Sequence, residues 1–191
     1  MAWKGNGRKI IRPIVNVCVK LGIHPNYITL IGFLITIFAG LLYAGGYFRL
    51  AALLLLIAGV LDAVDGDVAR LTGKKSSFGA LLDSALDRLS EAAIFGGVLY
   101  FYRNSIWALI LIFISFTLSF MVSYLRARGE GLGVSIRVGP MDRTGRYIYL
   151  FLISLLGPAF FLKLLVLYAL LVFITVVSRW VGLYNSLAKQ E

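Results

Sequence analysis

Residues 61–91 read LDAVDGDVARLTGKKSSFGALLDSALDRLSE, between apolar flanks LAALLLLIAGV at 50–60 and AAIFGGVLYF at 92–101. With these flanks, each half of the stretch approaches the roughly 20 residues that a bilayer-spanning helix needs. The acids therefore sit at the ends of two spanning helices joined by a short polar turn. Asp62 and Asp65 are spaced i, i+3, and Asp83 and Asp87 i, i+4, so each pair shares one helical face. Ionisable groups at membrane depth are costly unless paired, solvated or metal-bound. These four are the first functional candidates.

The whole chain agrees with a membrane protein. Of its 191 residues 60% are hydrophobic and 15% charged, with a mean hydropathy of +0.88. A soluble domain of this length would need more polar surface. Six spans with short loops would use nearly all of residues 1–191, so the chain reads as one domain. The net charge of +10 fits a positive-inside bias beside lipid, or an anionic substrate. Nucleic acid is not an expected partner of so apolar a chain. Cys18 stands alone, which excludes an intrachain disulfide. Basic residues continue to Lys20, so the N-terminus does not read as a signal peptide.

The expected fold is an all-α integral-membrane bundle of six transmembrane helices, preceded by an amphipathic interfacial helix over residues 3–23. In that helix Ile10, Ile14, Val17 and Leu21 recur at helical spacing opposite Arg12, Asn16 and Lys20. The spans fall at about 27–47, 50–72, 78–101, 105–128, 143–161 and 163–185. Of the 19 basic residues, only Arg49, Arg103 and Lys163 lie on the side away from both termini. That asymmetry places both termini in the cytoplasm, and the expected location is the cell membrane. Gly96-Gly97 marks a close helix approach, either within the chain or in a homodimer.

Four converging carboxylates carry a charge that two divalent cations would neutralise. Oxygen-only ligands favour magnesium, manganese or calcium over zinc. Two such ions can clamp a phosphoryl oxygen during a displacement. Gly66 and Ala69 share the face of Asp62 and Asp65, and Gly79 lies one turn before Asp83. Small side chains there allow a helix or a bulky substrate to come close. Asp67 lies off the shared face, as expected of a solvated acid at a helix end.

The spacing from Asp62 through Asp65, Gly66, Ala69, Arg70, Gly79 and Asp83 to Asp87 matches DxxDGxxARx8GxxxDxxxD at every defining position. This pattern resembles the signature of the CDP-alcohol phosphotransferase family. The resemblance implies a six-helix membrane fold, a homodimer, and transfer of a phosphatidyl-type group from a CDP-linked lipid to an alcohol, releasing CMP. It implies that Asp62, Asp65, Asp83 and Asp87 ligate two Mg2+ ions, with Mn2+ as the alternative metal, and that Asp87 doubles as general base. Asp62, Gly66, Ala69, Arg70 and Gly79 would form the nucleotide-binding wall. Asn26 and Thr29, in the segment leading into the first span, would join that wall; Asn26 reads equally well as a helix cap.

The acceptor rests on a second group of residues. Ser123, Arg126, Arg143, Arg146 and Arg179 gather near the cytoplasmic ends of the last three spans. Positive-inside topology explains single arginines there, whereas a cluster suits a phosphate, which guanidinium grips bidentately. The run from Ser123 through Arg126 to Glu130, with Asp142-Arg143 and Arg146 beyond it, resembles phosphatidylinositol-phosphate and archaetidylinositol-phosphate synthases. Arg126 stands where that subfamily carries Lys, Gly129 where it carries Ala, and Asp142 where it carries Glu. The resemblance implies inositol 1-phosphate as acceptor, with glycerol 3-phosphate as the alternative. A divalent-cation transporter would also place acids in spans. It would leave the Gly, Ala and Arg positions of the signature without a purpose.

Overall fold

The computed structural model describes residues 3–189, with side chains described from residue 11 onward. Seven helices follow one another: α1 (Trp3–Lys20), α2 (Pro25–Ala44), α3 (Phe48–Leu71), α4 (Ser77–Phe101), α5 (Ile106–Gly131), α6 (Arg143–Leu155) and α7 (Pro158–Leu187). Their ends are set by local chemistry. Ser76 caps α4 by accepting from Gly79 N at 2.9 Å, and Asp142 caps α6 by accepting from Gly145 N at 2.8 Å. At the start of α2 the cap is His24, whose Nδ1 accepts from Asn26 N at 3.3 Å, with Pro25 in the first turn. The expectation that Asn26 caps this helix is therefore corrected. Its side chain is free for another use.

The main packing pairs close a ring: α3 on α2, α2 on α4, α4 on α5, α5 on α7, α7 on α6, and α6 back on α3. Tyr43, Phe48, Phe101, Tyr102 and Phe161 interlock edge-on or tilted at the end of the ring away from the carboxylates. Outward faces are apolar, as at Phe38, Leu41, Phe113, Phe173 and Trp180. Helices α2, α5 and α7 are long and apolar enough to cross a membrane. Their exposed apolar flanks suit a lipid surround rather than water.

Two expectations about elements need revision. The fifth span, expected over 143–161, is the 13-residue helix α6, which at 1.5 Å per residue is about 20 Å long. It stops because Gly157 takes φ +82° and Pro158 then starts α7, which runs for 30 residues. Helix α1 also differs from a simple interfacial helix. Ile14, Val17 and Leu21 are exposed as expected, while Val15 is buried with Val64 and Val68 of α3 and Ile28 of α2. A second apolar face, with Ile11, Cys18 and Val19, thus ties α1 to the bundle. Ile10 lies outside the residues whose side chains are described.

The Gly96-Gly97 pair divides its roles. A Cβ on Gly97 would lie 2.0 Å from the Gly40 carbonyl oxygen, so this glycine serves the α2–α4 contact within the chain. Gly96 faces open space. Gly97→Ala should destabilise the protein by about 1–3 kcal/mol through overpacking against backbone. Gly96→Ala should leave stability unchanged or slightly raised. Thermal unfolding of both variants in detergent checks the contrast.

Candidate active site

Six helix ends converge at the pole opposite the aromatic cluster: the starts of α2, α4 and α6 and the ends of α3, α5 and α7. Asp62 and Asp65 come from α3, Asp83 and Asp87 from α4, and Arg143 and Arg146 from α6. Carboxylate oxygens of Asp62, Asp83 and Asp87 lie within 4.8 Å of one another. Oxygen atoms so spaced suit a hard divalent cation. Asp83 Oδ1 is buried with no hydrogen-bond partner among the described residues, as a ligand atom awaiting a cation would be. The donor set fits a metal.

The protein supplies a cation of its own there. Arg143 Nη2 donates to Asp62 Oδ1 at 2.7 Å and to Asp87 Oδ1, bridging α3 and α4 from the first residue of α6. Arg88 adds a looser contact to Asp87 at 3.6 Å. Asp65 stands slightly apart. It is 7% exposed, and its Oδ2 accepts from Thr29 Oγ1 at 2.7 Å. Thr29 therefore orients a carboxylate, which modifies its expected role of contacting a nucleotide. Asp67 pairs with Arg70 on the solvent side.

Two cavities flank the carboxylates, and the larger is the more polar. One, of about 240 Å³, is lined by Asn26, Thr29, Asp65, Gly66, Ala69, Arg70, Gly79 and Asp83, among others. The residues expected to form a nucleotide-binding wall thus line one cavity, except that Asp62 instead lines a small cleft of about 30 Å³ between the helices. A Cβ on Gly79 would come within 3.2 Å of Asn26 Oδ1, so glycine keeps this cavity open. The other cavity, of about 560 Å³, is lined by Asp83, Asp87, Ser123, Arg126, Arg143, Arg146 and Arg179. Asp83 lines both. The shortness of α6 makes this larger space: beyond Arg143 its place in the ring is taken by the loop after α5. Gly139 of that loop, at φ +99°, lies against Thr175, where a Cβ would come within 2.5 Å of Cγ2.

The arginines expected together are together, though not equivalent. Arg179 is 5% exposed and, among the described residues, is held by carbonyl oxygens, Val122 O at 2.6 Å and Val138 O at 3.2 Å. Arg126 pairs with Glu130 at 2.9 Å on the exposed rim. Arg146 is 1% exposed, and its Nη2 donates to Glu91 Oε1 at 2.8 Å and Ser123 Oγ at 3.0 Å. Arg137 also lines this cavity and was not in the expected set. Glu91 was missed as well. Its signal was the spacing, since Asp83, Asp87 and Glu91 recur every fourth residue on one face.

Comparison with known proteins agrees with this geometry. Residues 22–183 match the family model described as CDP-alcohol phosphatidyltransferase, and the chain belongs to that family. The archaetidylinositol phosphate synthase of Methanothermobacter thermautotrophicus is 34% identical over 184 residues, 94% of this chain and 91% of the relative. That of Pyrococcus horikoshii is 38% identical over 154 residues, 77% of this chain and 79% of the relative. The crystal structure of Mycobacterium tuberculosis phosphatidylinositol phosphate synthase with CDP-DAG bound superposes with a TM-score of 0.84 at 27% identity, covering 92% of this chain and 94% of that one. A structure of the same enzyme in complex with manganese and citrate gives 0.82 at 26% identity, covering 91% and 88%. This chain is accordingly an enzyme of that family.

Because Arg143 competes with an added cation for Asp62 and Asp87, Arg143→Ala, which removes both charge-assisted bonds, should tighten manganese binding at least about tenfold. Titration of manganese followed by electron paramagnetic resonance reads this directly; weaker binding in the variant would refute the competition.

Proposed function

We propose that the protein transfers a phosphatidyl-type group from a CDP-linked lipid to a hydroxyl of inositol 1-phosphate, releasing CMP. The observation that carries this is the pair of cavities meeting at one carboxylate cluster. One has the small-residue wall of a nucleotide site, and the other is rich in buried guanidinium. The relatives named as inositol-phosphate lipid synthases support the acceptor choice.

Asp62, Asp65, Asp83 and Asp87 would hold two divalent cations, magnesium or manganese, which supply Lewis-acid stabilisation of charge on the donor pyrophosphate. The cytidine end lies against Gly66, Ala69, Arg70, Gly79 and Asn26. Exposed Leu71, Phe78 and Leu81 beside this wall offer the lipid tails an apolar path from the bilayer. The acceptor phosphate enters the larger cavity, where Arg179 makes no ion pair among the described residues, joined by Arg126, Arg146 and Ser123. Arg143, between the two cavities, can leave the carboxylates for a phosphate oxygen.

Asp87 lines the acceptor cavity and takes the proton of the attacking hydroxyl. The hydroxyl oxygen forms its bond to the lipid-bearing phosphorus as the bond from that phosphorus to the CMP oxygen breaks. CMP leaves with the pair of electrons. Glycerol 3-phosphate would use the same phosphate subsite and is the alternative acceptor. A cation transporter has no use for a nucleotide wall beside the acids.

The chain is read as one domain in the cell membrane, with its site and both termini on the cytoplasmic side, and as a homodimer. Its six ring helices are read as six crossings. Helix α6 alone is shorter than the roughly 30 Å apolar layer, and the loop before it completes that crossing at the polar end, where it lines a cavity.

Purified protein should release CMP from CDP-diacylglycerol or CDP-archaeol with inositol 1-phosphate. Asp87→Asn should lower kcat by at least about a hundredfold without unfolding the protein, as expected on losing a general base. Turnover with serine or free inositol alone would sink the assignment of a phosphorylated acceptor.

A further inference from the structure

The acidic stripe of α4 continues past the residues used above. Glu91 lies one turn beyond Asp87, about 6 Å along the helix axis, and is 2% exposed. Its Oε1 accepts from Arg146 Nη2 at 2.8 Å and from Ser119 Oγ at 3.2 Å. Tyr168 OH in turn donates to Ser119 Oγ at 3.2 Å. Four helices, α4 to α7, therefore meet in one buried network beneath the acceptor cavity. Arg146 lines that cavity, whereas Glu91, Ser119 and Tyr168 do not. The Nε of Arg146 is buried without a partner among the described residues.

A buried ion pair inside an apolar bundle is weak support for stability, because desolvation offsets much of its attraction. Simple packing would be served as well by apolar residues of similar size. The pair is better suited to fixing a geometry. We infer that Glu91 is a positioning residue for the acceptor site: it pins the Arg146 guanidinium to the helix that carries Asp83 and Asp87, which sets the distance between acceptor phosphate and reacting centre. The inference rests on the function proposed above.

The charges then divide. Glu91 neutralises Arg146 before any ligand arrives, so Arg146 stays in place at the wall of the cavity. Arg179 is held by carbonyl oxygens and makes no ion pair among the described residues. One guanidinium provides geometry and the other provides attraction. Glu91 touches no substrate and acts through Arg146 alone.

The test uses the full chain in detergent, with Glu91→Gln, Arg146→Gln and the double variant. Inositol 1-phosphate binding is measured by calorimetry, and donor and acceptor KM values by CMP release. Glu91→Gln should weaken inositol 1-phosphate binding and raise the acceptor KM about tenfold, the effect of losing a charge-assisted bond. The donor KM should not change, while kcat at saturating acceptor should fall, because bound acceptor is no longer held at the right distance. In the Arg146→Gln background the Glu91 substitution should add nothing. Equal losses for donor and acceptor, or additive losses in the double variant, would mean a merely structural role and overturn the inference. Should Glu91→Gln fail to fold, Glu91→Asp keeps the charge and withdraws it by one methylene. It must then show the same acceptor-selective loss, and unchanged acceptor affinity overturns the inference. Wild-type protein that binds neither inositol 1-phosphate nor glycerol 3-phosphate would refute the function and this inference together. Wild-type binding that Glu91→Gln leaves unaltered would refute this inference alone.

Discussion

Carboxylates placed among apolar helices must meet positive charge, and the structure is organised around meeting that demand at one pole of the bundle. Asp62 and Asp87 share the Arg143 guanidinium, and Asp83 retains a buried oxygen with no hydrogen bond. An isolated charge in such surroundings is strongly unfavourable, so each acid needs a cation or a proton-sharing partner. Asp65 has the second kind in Thr29. A protein that binds divalent ions for chemistry can use the same imbalance as its driving force for metal uptake.

The imbalance would be useless without space beside it, and helix geometry creates that space. Small residues let α2, α3 and α4 pack closely, most tightly where Gly97 meets Gly40. The short α6 has the opposite effect. It reaches from the aromatic pole only as far as Arg143, leaving room that the preceding loop lines without filling. One cavity is thus small, with small residues in its wall, and the other a wide, charged basin. Asp83 borders both.

Much of the site was legible because it is local. The i, i+3 and i, i+4 spacings put Asp62 with Asp65 and Asp83 with Asp87 on single faces, whatever the helices later pack against. Gly66, Ala69, Arg70 and Gly79 line the cavity that the signature implied. Helix ends were less legible where a break could be read in two places: Gly157-Pro158 ended α6 earlier than hydropathy suggested, since an apolar run continues across it. The inner face of α1 escaped notice because Val15 lies among residues that also fit a lipid-facing stripe.

The sequence by itself determined which residues are candidates for the chemistry and on which helical faces they stand, because helical periodicity converts spacing directly into direction. Only the tertiary structure decided the partners. Arg143 meets Asp62 across 81 residues, and Arg146 meets Glu91 across 55. Contacts over such separations depend on how helices are ordered around the ring and how long each one is. For that reason Arg143 was expected among the phosphate-binding arginines and is found bridging the acids. For the same reason Glu91, one more acid in a visible stripe, showed its purpose only once α6 had been placed against it.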